Sequence, residues 1–215
     1  MKQYNHTNKR DIYFATSNYG KLCQINQIFN SNKFNNYIKI IPIMVDIDEI
    51  QSIDNVIVAK DKIVKAYKYI QNKLKIDNFE LICEDTGYNF DNMNGFPGAL
   101  IRFYHDQIGS EGICKFNGGN LATNVSVVAY KNGNNIKIFK NSVRGKVALK
   151  PASLRLDSTF IPDYKNELSN FNFNINININ ILNNLTYAQI PSKLKNLVSA
   201  RGKSYNDLKK YLYLY

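Results

Sequence analysis

Three short stretches hold residues whose types and spacing suit phosphate chemistry. The first is Thr16-Ser17-Asn18-Tyr19-Gly20-Lys21, where hydroxyl, amide and glycine residues end an apolar run and precede a helical pattern. A strand-to-helix turn of this kind offers unpaired backbone N–H groups at the positive end of a helix, and Lys21 adds a point charge for a phosphate. Ordinary N-capping uses the same residue types, and the spacing is not that of a Walker A loop. The second stretch is Glu84-Asp85, directly after the apolar run Phe79 to Cys83. Adjacent carboxylates at the carboxyl end of a strand make a hard-oxygen site suited to Mg²⁺, and one of them could orient or deprotonate a water. Capping of the following turn is the plain alternative. Glu49, in the loop after the second strand, is either a further metal carboxylate or a solvated charge. The third stretch holds Lys195, Ser199 and Arg201, where a helix beginning near Ser199 would bring two cations and free N–H groups to one anion.

Positioning these groups needs an alternation of strands and helices. Asp11 to Thr16 reads as a strand, and Leu22, Ile25, Ile28 and Phe29 have helical spacing. Tyr37 to Val45, broken by Pro42, reads as a second strand, and Ile57 to Leu74 as a lysine-rich amphipathic helix. Phe79 to Cys83 is a third strand that stops at Glu84-Asp85-Thr86-Gly87, and Gly95-Phe96-Pro97-Gly98 opens a helical segment to about Tyr104. Ala122 to Lys131 and Ile136 to Leu149 alternate around Asn132-Gly133-Asn134-Asn135, the pattern of a long antiparallel hairpin. Phe171 to Ile181 alternates asparagine with Phe or Ile, a strand pattern in a low-complexity tract. Ser199 to Leu212 reads as a terminal helix. The sum is an α/β fold with a long mixed sheet, one domain over residues 1–215 carrying an asparagine-rich insertion at about 165–184.

Composition sets the boundaries. The chain has 215 residues, 44% hydrophobic and 13% aromatic, which excludes wholesale disorder and leaves enough for a sizeable core. No apolar run is long enough to span a membrane, and Met1 to Arg10 lacks the apolar segment of a signal peptide, so a cytoplasmic protein is expected. Cys23, Cys83 and Cys114 are too few and too scattered for a disulfide framework or a cysteine metal site. The 28 Lys and Arg residues outnumber 17 Asp and Glu, a net charge of +11 that calls for an anionic partner. The lysines are spread over several helices with no aromatic-interleaved basic strand, which argues against nucleic acid as that partner.

The order of these stretches resembles the inosine triphosphate pyrophosphatase family. Thr16-Ser17-Asn18-x-x-Lys21 is similar to that family's opening T-[GS]-N-x-x-K, and Glu49-Ile50-Gln51 to its P-E-Y-Q segment. Glu84-Asp85-Thr86-Gly87 with Gly95-Phe96-Pro97-Gly98 looks like its E-D-[ST]-G and G-x-P-G pair. Leu185 to Arg201 resembles its closing T-Y-A-E and K-x-x-x-S-H-R. The resemblance covers nearly the whole chain apart from Lys165 to Asn184. It implies two lobes about a substrate cleft, a Mg²⁺ requirement, a homodimer, and hydrolysis of ITP, dITP and XTP to monophosphate and pyrophosphate. It further implies that Thr16, Ser17, Asn18 and Lys21 cradle phosphates and that Glu49 and Asp85 hold the metal. Asp85 would activate water with Glu84 beside it, and Thr86 would face substrate. Lys62 (or its neighbour Lys60), Arg102, Asp157, Lys195 and Arg201 would complete substrate binding.

The departures fall mainly on base recognition. Gln24 and Gln189 stand where the family has Glu, and Ala200 stands where it has the His of S-H-R. Leu154-Arg155-Leu156-Asp157-Ser158 keeps only the Asp of F-G-[WY]-D-P. A pocket that reads a purine oxo group by buried hydrogen bonds discriminates less when one partner is lost, so weaker selectivity for ITP over ATP is expected. Two alternatives stand beside this reading: a catalytically weakened relative that binds nucleic acid, and a pyrophosphatase for modified pyrimidine triphosphates.

Overall fold

The computed structural model describes residues 9–30, 37–45, 47–169 and 179–214. Its centre is a seven-stranded mixed sheet. Strand β1 (Arg10–Ala15) lies between β2 (Ile38–Ile43) and β3 (Glu80–Phe90), parallel to both. From β3 onward the main order continues antiparallel through β5 (Leu121–Asn132), β6 (Asn135–Val147) and β7 (Phe160–Pro162). The two-residue β4 (Pro97–Gly98) pairs with β3 opposite Tyr88 and Asn89.

Helix α1 (Tyr19–Phe29) follows β1 and buries Ile25, Ile28 and Phe29. Helix α2 (Asn55–Leu74) buries Val58, Ala59, Ile63, Ala66 and Ile70, a stripe at helical spacing, and Asp54 caps it by accepting the Val56 N–H at 2.7 Å. The pleat divides the strand residues between two layers. Ile12, Phe14, Ile82, Val128 and Tyr130 pack on one face with α1 and α7 (Ala200–Leu214), and Leu81, Cys83, Val125, Val127 and Ala129 pack on the other with α2. A third apolar cluster, including Tyr88, Phe90, Val143, Phe160, Tyr187 and Ala200, fills the antiparallel end. It packs with α3 (Ile101–Asn117), α4 (Tyr164–Leu168), α5 (Ile179–Leu182) and α6 (Ser192–Val198). The two layers at the parallel end and the cluster at the antiparallel end are thus separate apolar cores on one sheet.

Several elements differ from their sequence patterns. The third strand does not stop at Glu84: β3 runs on to Phe90 because β5 pairs with it along its full length, Glu80 with Asn132 through Phe90 with Ala122. What ends there is β1, whose pairing with β3 stops at Phe14–Ile82. Helix α3 continues past Tyr104 to Asn117, bent at Gly109, whose φ of 66° is open to glycine. The strand β7 has no clear periodic signal. The tract Phe171 to Ile181 lies mostly outside the described residues, and its last residues enter the short helix α5 rather than a strand. All three cysteines are free, and among the described residues no helix is long and apolar enough to cross a membrane.

Candidate active site

A cleft of about 700 Å³ opens where β1 ends. Thr16, Ser17, Asn18, Lys21, Glu49, Lys62, Asp85, Thr86, Arg102, Asp157 and Arg201 all line it, so most of the residues singled out in the sequence converge on one space. The turn before α1 is held by its own side chains. Thr16 Oγ1 accepts the Asn18 N–H at 3.1 Å, and Asn18 Oδ1 accepts the Lys21 N–H at 3.1 Å as the N-cap.

Glu84 and Asp85 do not form a side-by-side pair. Because β3 continues through them, alternation sends them to opposite faces of the sheet. Glu84 has a side-chain exposure of 0% and lies beneath the cleft floor in the α1–α7 layer rather than open to the cleft. Its carboxylate meets Lys21 Nζ at 2.7 Å and Arg201 Nε at 3.3 Å, and it accepts from Ser126 Oγ at 2.7 Å and from Thr86 Oγ1. Burial would push this carboxyl up, but Lys21 and Arg201 outweigh it and hold Glu84 well below the usual carboxylate range. Arg201 also donates to Thr86 Oγ1 at 2.8 Å and to Gln24 Oε1 at 3.4 Å. One buried carboxylate therefore fixes two of the cations that line the cleft, Lys21 and Arg201.

Asp85 faces the α2 side, accepts Asn55 Nδ2 at 2.6 Å and lines the cleft. Burial, with the charges of Glu84 and Glu49 added, pushes it up to about 6, against the pull of Lys21 and Asn55. Glu49 is ion-paired with Lys62, and its loop is tied to α2 by Asp61, which accepts the Ile50 N–H at 3.3 Å, and by Lys65, which donates to the Asp48 carbonyl at 2.8 Å. Lys62, not Lys60, is thus the α2 lysine at the cleft. Burial would lower the Lys62 ammonium, yet Glu49 reverses that and raises it. Among the described residues no three His, Cys, Asp or Glu side chains gather as a metal cluster; the cleft is lined by Asp48, Glu49, Asp85 and Asp157, and Asp157 is already paired with Lys195.

On the far wall, Lys195 is ion-paired with Asp157 and sits 5.8 Å over the Tyr187 ring. Burial would raise Asp157, but Lys195 and Arg201 hold it below its ordinary range. Lys195 itself is not a lining residue. Ser199 does not open an anion site: it is buried, its hydroxyl accepts from Gln24 Nε2 and the Gly202 N–H, each at 3.1 Å, and α7 starts one residue later. Arg102 stands at the mouth, 83% exposed, with Asp106 at 3.8 Å.

Sequence reasoning missed Asn55, Ser126 and Tyr88. Asn55 holds Asp85, Ser126 holds Glu84, and Tyr88 is a buried phenol lining the cleft. The Asp54-Asn55 helix start was the available signal for the first, and reading β3 through to Phe90 would have placed the third.

A sequence profile of the Ham1 family matches residues 12–211. The chain belongs to the Ham1 family. Among Ham1 relatives, it is 28% identical over 211 residues to an inosine triphosphate pyrophosphatase of Candida glabrata, covering 94% of this chain and 97% of that one. It is 27% identical over 212 residues to a dITP/XTP pyrophosphatase of Hyperthermus butylicus, 96% of each chain. A HAM1 protein of Coxiella burnetii superposes with a TM-score of 0.69 at 19% identity, over 95% of this chain and 99% of that one. The Staphylococcus aureus Ham1 protein gives 0.60 at 21% identity, over 94% and 97%. These two share the fold.

The geometry also accounts for two substitutions in this Ham1 chain. The Gln24 amide donates to Ser199 while accepting from Arg201, a combination that a carboxylate, acceptor only, lacks. Gln189 Oε1 accepts both the Thr186 N–H at 2.9 Å and the Thr186 hydroxyl at 3.0 Å, which an amide oxygen does as well as a carboxylate.

Proposed function

We propose that this Ham1-family chain hydrolyses deaminated purine nucleoside triphosphates, ITP, dITP and XTP, to the monophosphate and pyrophosphate. One observation carries the reading: Lys21, Lys62 and Arg201 converge with Asp85 on a single cleft, in a chain that relatives named inosine triphosphate pyrophosphatase and dITP/XTP pyrophosphatase match almost end to end. The turn Thr16–Lys21 and Arg201 bind the triphosphate, and binding orients the α-phosphorus for attack. Asp85 lines the cleft, held by Asn55 Nδ2 at 2.6 Å, and is placed to orient an attacking water and take its proton. The α–β anhydride then breaks and pyrophosphate leaves toward Lys21. Glu84 touches no substrate in this scheme; it fixes Lys21 and Arg201.

Glu49 and Asp85 fit Mg²⁺ by chemistry. Both are hard-oxygen donors at the cleft, and Asp85 is raised by burial and by neighbouring carboxylates, a charge that a divalent cation would relieve. Mg²⁺, when bound, would supply charge neutralisation on the phosphate oxygens. A homodimer in the cytosol is proposed on the family resemblance alone.

Base selectivity follows from the far wall. Leu156 lines the cleft, and Ala200 is 0% exposed within the apolar cluster, so neither supplies a hydrogen bond to a purine oxo group. The preference for ITP over ATP is expected to be about tenfold narrower than in relatives that keep the imidazole. A pyrophosphate-release panel over ITP, XTP, dITP, ATP, GTP and modified pyrimidine triphosphates, with and without Mg²⁺, checks both statements. Release from none of the three deaminated purines at millimolar Mg²⁺ would sink the hydrolase reading.

The seat of Asp85 gives another test. A Cβ on Gly87 would stand 2.5 Å from Asn55 Oδ1 and 2.7 Å from the Gly98 carbonyl, so Gly87→Ala must displace the amide that holds Asp85. Its kcat is expected to fall about tenfold, with a loss of ~1 to 3 kcal/mol in stability from overpacking. Unchanged kcat and thermal midpoint would show that Asn55 does not set the carboxylate.

A further inference from the structure

The cations around the cleft are already faced by carboxylates before any ligand arrives. Lys21 and Arg201 face Glu84, Lys62 faces Glu49, Lys195 faces Asp157 and Arg102 faces Asp106, while Asp48 and Asp85 also line the cleft. A triphosphate adds several negative charges, so cations beyond these pairs must meet part of them. Arg155, which does not itself line the cleft but directly precedes the lining residues Leu156 and Asp157, is such a cation. Among the described residues its guanidinium makes no ion pair, and its Nη2 lies 3.9 Å from where a Cβ on Gly20 would stand. Gly20 belongs to the Thr16–Lys21 turn, whereas Arg155 belongs to the loop between β6 and β7. A side chain from the far wall therefore reaches across to the start of α1.

The backbone under it is pinned while the side chain is exposed. The Ser158 N–H donates to the Arg155 carbonyl at 2.9 Å, Ser158 Oγ donates to the same carbonyl, and the Arg155 N–H donates to Ser153 Oγ at 3.3 Å. Arg155 also stands where the segment resembled by Leu154 to Ser158 carries glycine, so a guanidinium here is a feature of this chain. We propose that Arg155 is a phosphate clamp that closes over the Thr16–Lys21 turn, binds the β and γ phosphates through its planar fork, and retains pyrophosphate after cleavage. The reaction it serves rests on the function proposed above; its affinity for a diphosphate does not.

The test is calorimetric titration of inorganic pyrophosphate into the full chain and into Arg155→Ala and Arg155→Lys, with KM and kcat for ITP measured on the same proteins. Arg155→Ala is expected to lose about tenfold in pyrophosphate affinity and to raise KM about tenfold, with kcat within about twofold. Arg155→Lys should fall between, since it keeps the charge without the fork. Unchanged pyrophosphate affinity in Arg155→Ala, a fall in kcat at constant KM, or no pyrophosphate binding by the parent chain would each overturn the clamp. A parent chain that binds pyrophosphate, loses it in Arg155→Ala, and hydrolyses no nucleoside triphosphate would instead overturn the hydrolase reading and leave the clamp standing.

Discussion

Asp85→Asn is expected to lower kcat for ITP about a thousandfold while the protein stays folded. The substitution removes charge and proton affinity and leaves volume unchanged. Asn55 Nδ2 still finds an oxygen acceptor at position 85, so the seat of the side chain survives. Burial already disfavours the Asp85 carboxylate, so the neutral amide should leave the thermal midpoint unchanged or raise it. A drop in kcat with an intact or raised midpoint separates loss of the base from loss of the fold. Retention of most activity would move the proton acceptor elsewhere in the cleft.

Glu84→Gln should act on stability and binding together. It leaves Lys21 and Arg201, whose side chains are 15% and 17% exposed, without the carboxylate between them. Breaking a buried pair from one side costs about 3 kcal/mol, which for a chain of this size lowers the midpoint by roughly 6 to 12 °C. The loss has a pH signature. Because Glu84 is held below its ordinary value of 4.5 in the fold, its stabilisation is fully present above that pH and disappears as pH falls toward the lower folded value. The variant and the parent chain should differ most at neutral pH and converge in acid, where the parent's Glu84 is protonated too. Urea unfolding at several pH values checks this, and a gap that stays constant into strong acid would contradict it. KM for ITP should rise in the same variant, since Lys21 and Arg201 lose their common anchor.

Much of this arrangement is written locally. The apolar runs of β1 and the β5–β6 hairpin, the stripe of α2 and the capped turn before α1 each follow from periodicity and capping within a short window. The site residues in that turn were legible for the same reason. What was not legible depends on partners distant in sequence. Glu84, Asp85 and Thr86 read as polar strand-stoppers, yet β3 passes through them because Ser126 and Arg201, 42 and 117 residues from Glu84, satisfy that buried carboxylate. Once the strand is continuous, its period of two separates Glu84 from Asp85 and gives them different work. The hydroxyl of Ser199 looked available to an anion and is instead spent on Gln24 and the Gly202 N–H. The Arg155 approach to Gly20 joins the loop between β6 and β7 to the start of α1, a contact that no local pattern encodes.

Hydrolysis of ITP with Mg²⁺ in ¹⁸O-enriched water, with both products read by mass spectrometry, tests the chemistry of the cleft most directly. Attack by water on the α-phosphorus places one ¹⁸O in inosine monophosphate and leaves the released pyrophosphate unlabelled. Label in pyrophosphate, release of inosine diphosphate with inorganic phosphate, or no turnover at all would contradict it.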